Sequence, residues 1–227
     1  MNLNFIFKHY YKFIFLIFLS ILPIYFIIGD KTYRITNDLK NYKNCSELNY
    51  EDSLIFKNDT FSSFEVTIRI NNQRKWRKNI LSNVTSYKLN NSYANNFRAK
   101  AKLIFKKNSI TCFSEAIIKS HGDFEEHHID LFNKQPFEIP SIKVDLLDNH
   151  IFGITKFILF RPQSRGFNNE VLITTILNEM GLLAPRTTNV DVIYKENKMN
   201  FIFQERIAKE FLERNKLIEG PILKGDE

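Results

Sequence analysis

Between Phe13 and Ile28 the chain reads FIFLIFLSILPIYFII, without a single charge. Tyr10, Tyr11 and Gly29 extend the tolerable span to about 20 residues, near what a bilayer core of about 30 Å needs at 1.5 Å per residue. Lys8 and Lys12 precede it, and Asp30 and Lys31 follow. Pro23 would break a soluble helix but is tolerated in a membrane. The run is apolar on every face, so it fits a buried core helix poorly. A cleavable signal peptide wants small residues at alternating positions before the cut, whereas the exit here is Ile27-Ile28-Gly29. The sequence therefore predicts an uncleaved signal-anchor over 13–29, behind a tail of residues 1–12, with the lipid bilayer as partner. Orientation rests on two opposed signals. Lys31, Arg34, Lys40 and Lys43 outnumber Lys8 and Lys12, against export of the C-terminal part. A very short tail before one apolar segment is the usual export layout, and it carries the expectation: a single-pass membrane protein whose C-terminal domain is extracytoplasmic.

The remaining chain has the composition of a folding domain. Hydrophobic residues make up 44% and charged residues 25% of the 227, which excludes a disordered polymer. The net charge of +7 comes from lysines spread along the chain. No basic block is long enough for a nucleic-acid arm, so no nucleic-acid partner is expected. The densest cluster is Arg74, Lys75, Arg77 and Lys78 around Trp76. It is read as a solvated loop, with an anionic surface or phosphate-rich polymer as the alternative. Cys45 and Cys112 are compatible with one disulfide and equally with two unrelated thiols.

Residues 30–60 are polar and irregular and read as a juxtamembrane spacer. A β-rich region over 61–147 follows. Phe64 to Ile70 alternates apolar and polar residues, as do Arg98 to Phe105 and Ile110 to Ile118, with Asn108-Ser109 as a hairpin turn. Two more strands are predicted at Ile142 to Leu147 and Ile151 to Phe160. The period then changes. Asn168 and Asn169 can cap a helix with Glu170 in its first turn, Leu172, Ile176 and Met180 recur every four residues, and Gly181 stops it. A hairpin, Asn189–Tyr194 with Asn200–Gln204 turning at Glu196-Asn197-Lys198, and a second helix through Ile207, Phe211 and Leu212 complete the pattern. Strands, helix, hairpin, helix imply an α+β fold: a mostly antiparallel sheet with two helices on one face.

Among chemically active groupings, His121-Gly122-Asp123-Phe124-Glu125-Glu126-His127-His128 matches no zinc spacing and reads as a polar turn at a strand end, with a transition-metal site as the alternative. Lys156 lies mid-strand among apolar neighbours, as an outward-facing charge or a phosphate-binding group. Arg161 and Arg165 flank a turn into a helix start, a place suited to anions. There is no Gly-rich phosphate loop, nucleophile elbow or HExxH helix.

IFGITKFILFRP, NNEVLITTILNEMGLLAPRTTNVDV and FIFQERIAKEFLERN together resemble the N-terminal part of the spore-coat protein H-like (CotH) kinases, through Gly181, Ala184, Pro185, Arg186, Glu205, Phe211 and Leu212. RAKAKLIFKKNSITCFSEAIIKSHGDFEEHH is similar to the front part of CotH-like membrane proteins of marine bacteria. The resemblance implies that 148–227 is a partial kinase-like region, the front half of an atypical protein-kinase-like fold using ATP with Mg. It makes Lys156 a candidate for the phosphates, Glu170 its charge partner, and Glu205 a residue near the lobe connection. Phosphoryl transfer needs further carboxylates to hold metal and hydroxyl. In the family these lie beyond the hairpin and its helix, and the chain stops at Glu227. The expectation is thus a truncated domain, not catalytically complete alone; its alternatives are an envelope scaffold module, or a protein kinase completed by a second chain.

Overall fold

The computed structural model describes residues 42–48, 64–88, 97–122, 125–130, 136–218 and 220–221. Within them lie β1 (Lys43–Asn44), β2 (Glu65–Ile70), α1 (Gln73–Lys88), β3 (Ala99–Lys107), β4 (Ile110–Ser120), β5 (Ile142–Leu146), β6 (Lys156–Phe160), α2 (Asn169–Glu179), β7 (Thr187–Tyr194), β8 (Asn197–Glu205) and α3 (Lys209–Arg214). Strict two-residue alternation defines the walls. In β2 the side chains of Val66, Ile68 and Ile70 are buried and those between them half-buried. In β3, Ala99, Ala101, Leu103 and Phe105 go inward, leaving Lys100, Lys102 and Lys106 on the other face.

The strands close on themselves. Seven follow one another as β4-β3-β2-β7-β8-β6-β5, and β5 pairs back onto β4 through Ala116↔Leu146 to Ser120↔Ile142. All these neighbours run antiparallel except β2 and β7, which pair in parallel through Glu65↔Asp191, Val66↔Val192 and Thr67↔Ile193. Closure is possible because β4 is long. Its C-terminal half takes β5 on the edge that its N-terminal half offers to the short strand β1, at Lys43↔Cys112 and Asn44↔Phe113. Small inward residues, Ala101 opposite Ala116, suit the tight curvature there. The barrel is filled by side chains, with Phe157 stacked on Phe203 at 4.5 Å and Phe64 edge-on to Phe203 at 5.3 Å.

Helix α1 closes the end of the barrel where β2, β4 and β6 finish. Asn72 caps it, its Oδ1 accepting from Lys75 N at 3.0 Å. Trp76, Ile80 and Val84, four residues apart, are buried, and Trp76 and Ile80 belong to the barrel core. Asn83 Nδ2 donates to Ser120 Oγ at the end of β4, 2.9 Å away. A Cys45–Cys112 disulfide fastens the β1 segment to β4.

Four expectations are corrected. The fold is a closed mixed barrel and not an open antiparallel sheet shaped as the front half of a kinase-like fold: alternation fixes which residues share a face, but an open sheet and a barrel wall alternate alike. The strand foreseen at Ile151–Phe160 is only Lys156–Phe160, because residues 151–154 form a turn, Ile151 bridging to Ile154, with Phe152 and Gly153 at positive φ (56° and 72°). The single-pass helical membrane arrangement is not met either: among the described residues no helix is long and apolar enough to cross a membrane. The run Phe13–Ile28 that motivated it, with most of the spacer, lies outside the described residues. The basic cluster Arg74 to Lys78, read as a loop, is the start of α1.

Candidate functional site

The residues singled out by the family resemblance divide between two faces of the barrel wall. Phe157 and Leu159 point inward, so Lys156 alternates to the outer face with Ile158 and Phe160. Glu170, in the first turn of α2, lies over that outer face and accepts from Gln204 Nε2 at 2.5 Å. Lys156 has no ion-pair partner among the described residues, and no Lys156–Glu170 pair forms.

Glu205 is on the opposite side of its strand. It follows Phe201 and Phe203 inward and is buried at the barrel end remote from α1. There its carboxylate receives Arg186 Nε at 3.3 Å and Arg214 Nη2 at 2.8 Å, while Arg186 Nη2 donates to Phe152 O at 2.7 Å. Phe211, on the same helix as Arg214, is buried beside it. A single carboxylate shared by two guanidinium groups satisfies a charge that would be very costly alone in that position. The cluster ties the exit of α2, the end of β8 and helix α3 together. Lys107, whose Nζ is 4.7 Å from the Phe152 ring, sits nearby, and burial lowers its pKa.

At the α1 end, His121 and His127 flank Phe160, with ring centroids 5.2 and 6.0 Å from it. His127 Nδ1 is 3.1 Å from Ser141 Oγ, and His128 Nε2 is 2.8 Å from Gly122 O. A side chain at Gly122 (φ +94°) would run into the His127 ring at 2.1 Å, so only glycine fits. Burial, and then the charge of Lys143, push the His121 imidazole down to about 3. Arg161, buried, donates to Ile139 O at 3.0 and 2.7 Å and lies 4.0 Å over the Phe137 ring. Among the described residues no group of three His, Cys, Asp or Glu is arranged to hold a metal ion.

The flank of the barrel carries the feature that the sequence pattern leaves open. Val171 packs on Ile158, Phe160 and Ile202, and Thr174 is the buried residue of α2. At about 100° per residue, Leu172, Ile176, Met180 and Ile173 fall within one arc about 100° wide, opposite that contact. All four are exposed, at 58%, 49%, 67% and 56%. A Schellman turn at Gly181, with Leu182 N bonded to Leu177 O at 2.9 Å, then presents Leu182 and Leu183, and Phe167 precedes the helix; these three are also more than half exposed. The spacing of four is visible in the sequence. Which way it faces is not.

Against known families and characterised proteins, no family model and no individual protein matches the chain.

Proposed function

We propose that this chain is a non-catalytic scaffold module that associates with a second copy of itself through the apolar face of α2. The observation that supports this is the outward-facing stripe Leu172, Ile173, Ile176 and Met180, continued by Leu182, Leu183 and Phe167. Seven large side chains, each about half exposed or more at about 100 Å² apiece, amount to some 700 Å². Lone monomers seldom show a contiguous apolar patch larger than about 300–600 Å², and a standard interface takes about 800 Å² from each partner.

Charge favours a second copy as the occupant. The chain is strongly basic at +7, yet residues 166–184 contain no Lys or Arg. Two such molecules approach with least repulsion through this face, and a stripe on one helix is self-complementary across a two-fold axis. In this reading the motif residues of the CotH resemblance are structural. Arg186, Glu205 and Phe211 hold the exit of α2 in place, so that the stripe is presented rigidly. Lys156 and Glu170 need no nucleotide.

The test is the mass of the full chain in solution. Sedimentation velocity should give a dimer at micromolar concentration, and a benzophenone side chain at position 180 should cross-link to residues 167–183 of a second copy. Ile176→Asp with Met180→Asp should yield monomer, while Leu147→Asp, equally exposed elsewhere, should leave the dimer intact. A wild-type monomer at about 100 µM, above the dissociation constants of typical specific interfaces, would end the proposal.

A further inference from the structure

We infer that the face formed by α1 and the outer side of β3 binds a linear polyanion carrying repeated phosphates. The chain's charge is unevenly placed. Of its 32 Lys and Arg, 11 fall between residues 66 and 114, a stretch with no Asp or Glu, and the other 21 face all 25 carboxylates. The fold gathers eight of these cations on one face. Arg74, Lys75, Arg77 and Lys78 are exposed on the first turns of α1, whose opposite side is buried through Trp76. Asn71 N donates to Lys100 O at 3.1 Å, which sets the start of the helix against β3. Arg98 and Lys100 are exposed beside it, and Lys75 Nζ rests 5.0 Å over the Phe97 ring. Arg69 lies opposite Lys102 on the same outer face.

A surface selected only for solubility mixes the two signs. Elsewhere on this barrel that rule holds: Lys195 pairs with Glu138, Lys198 with Asp191 and Glu65, Arg206 with Asp145, and Lys209 with Glu213. Among the described residues, the carboxylates that border the α1–β3 face are Glu115, 3.7 Å from Lys102, and Glu65, opposite Lys106. Outward residues of a strand recur about every 7 Å and helix neighbours about every 5–6 Å, so a chain of phosphates can touch several cations at once and release its counterions. Among the described residues, Trp76 is wholly buried and Phe97 and Phe113 lie under Lys75 and Lys102, so the described part of this face offers charge and no open stacking platform for bases. That points to a flexible polyphosphate-type chain and away from nucleic acid.

The experiment titrates the full chain with long-chain inorganic polyphosphate across a salt series. Binding should weaken linearly in log affinity against log salt. Replacing Arg74, Arg77, Lys78 and Lys100 together by Gln should cost about tenfold or more and flatten the slope by about three. The charge-keeping pair Arg74→Lys with Arg77→Lys should bind as wild type, and Lys198→Gln with Lys216→Gln, on other faces, should change affinity less than about twofold. Lys100→Glu, on a strand and remote from helix stability, should weaken binding on its own. The inference is overturned if wild type ignores polyphosphate at about 0.1 M salt, if the four-fold variant binds like the control, or if duplex DNA of equal charge displaces polyphosphate at substoichiometric amounts.

Discussion

Helices α1 and α2 have opposite relations to the same barrel. Both carry a stripe of large apolar residues four apart. In α1 the stripe, Trp76, Ile80 and Val84, points into the barrel mouth and the polar arc outside it is basic. In α2 the stripe, Leu172, Ile176 and Met180, points away from the barrel, and the side that touches the wall is Glu170, Val171 and Thr174. An amphipathic period tells that a helix has a buried side only if something is there to bury it. For α1 the partner is the chain's own core. For α2 the stripe stays exposed, and the helix is held instead by two side-chain bonds at its start, Gln204 to Glu170 and Asn189 to Asn168, and by the ion cluster beyond its end.

The comparison is broken most directly by truncating one stripe and then the other. Trp76→Ala should cost about 3–5 kcal/mol, since it empties the largest fully buried side chain in the barrel mouth. Met180→Gln should change the stability of the isolated monomer by less than about 0.5 kcal/mol, as for exposed positions generally. Chemical denaturation of both variants, each at a concentration where sedimentation shows monomer, decides it. Similar losses at the two positions would mean that α2 has a buried contact and is no docking face.

A smaller effect concerns what holds the barrel wall at β4. The Cys45–Cys112 link closes a loop with a sequence separation of 67 on the edge of β4 where β1 and β5 meet. Cys45→Ser with Cys112→Ser should lower stability by about 2–4 kcal/mol, mainly by freeing the unfolded chain. Because β1 adds only two residue pairs and lies outside the closed ring, polyphosphate binding and dimer mass should survive the loss. A variant that keeps wild-type stability would show that the ring of seven strands needs no such tie.

Much of this is legible in the sequence and some of it is not, for identifiable reasons. The walls β2, β3 and β4 are marked by alternation, and the Asn108-Ser109 turn by an asparagine that accepts positive φ. Closure is hidden: nothing in a local period announces that β5 returns to β4, or that β2 meets β7 in parallel across more than a hundred residues. Helix α1 escapes a reading by pattern because its inner face mixes Trp76 and Ile80 with Asn79 and Asn83, which weakens the apolar signal. The family resemblance names Glu205, and Arg186 with it, and these do meet in space. It does not reveal that Lys156 and Glu205 sit on opposite sides of the wall, because adjacent strands β6 and β8 put them one register step apart, Phe157 standing opposite Glu205.

The finest test of the contrast uses acid. His121 follows Ser120, the residue bonded to Asn83 of α1, so it belongs to the α1 end of the barrel. It is buried against Phe160, with His127, Lys143, Arg165 and Arg206 as its charged or titratable neighbours. Its imidazole is held near 3, against an ordinary value of about 6.5. Between those values the unfolded chain takes up a proton that the folded one refuses. Stability from this group is therefore complete above pH 6.5 and drains away as the pH falls towards 3. By pH 5 the loss should reach about 2 kcal/mol. His121→Asn cannot titrate, so its stability, measured relative to wild type, should improve by that amount between pH 7 and pH 5, whatever the carboxylates contribute to both. The α2 stripe contains no titratable residue, so dimer mass should be the same at the two pH values as long as the fold persists. Parallel pH profiles for wild type and His121→Asn would mean that water reaches the ring, and that the α1 end is less tightly sealed than the burial of Trp76 implies.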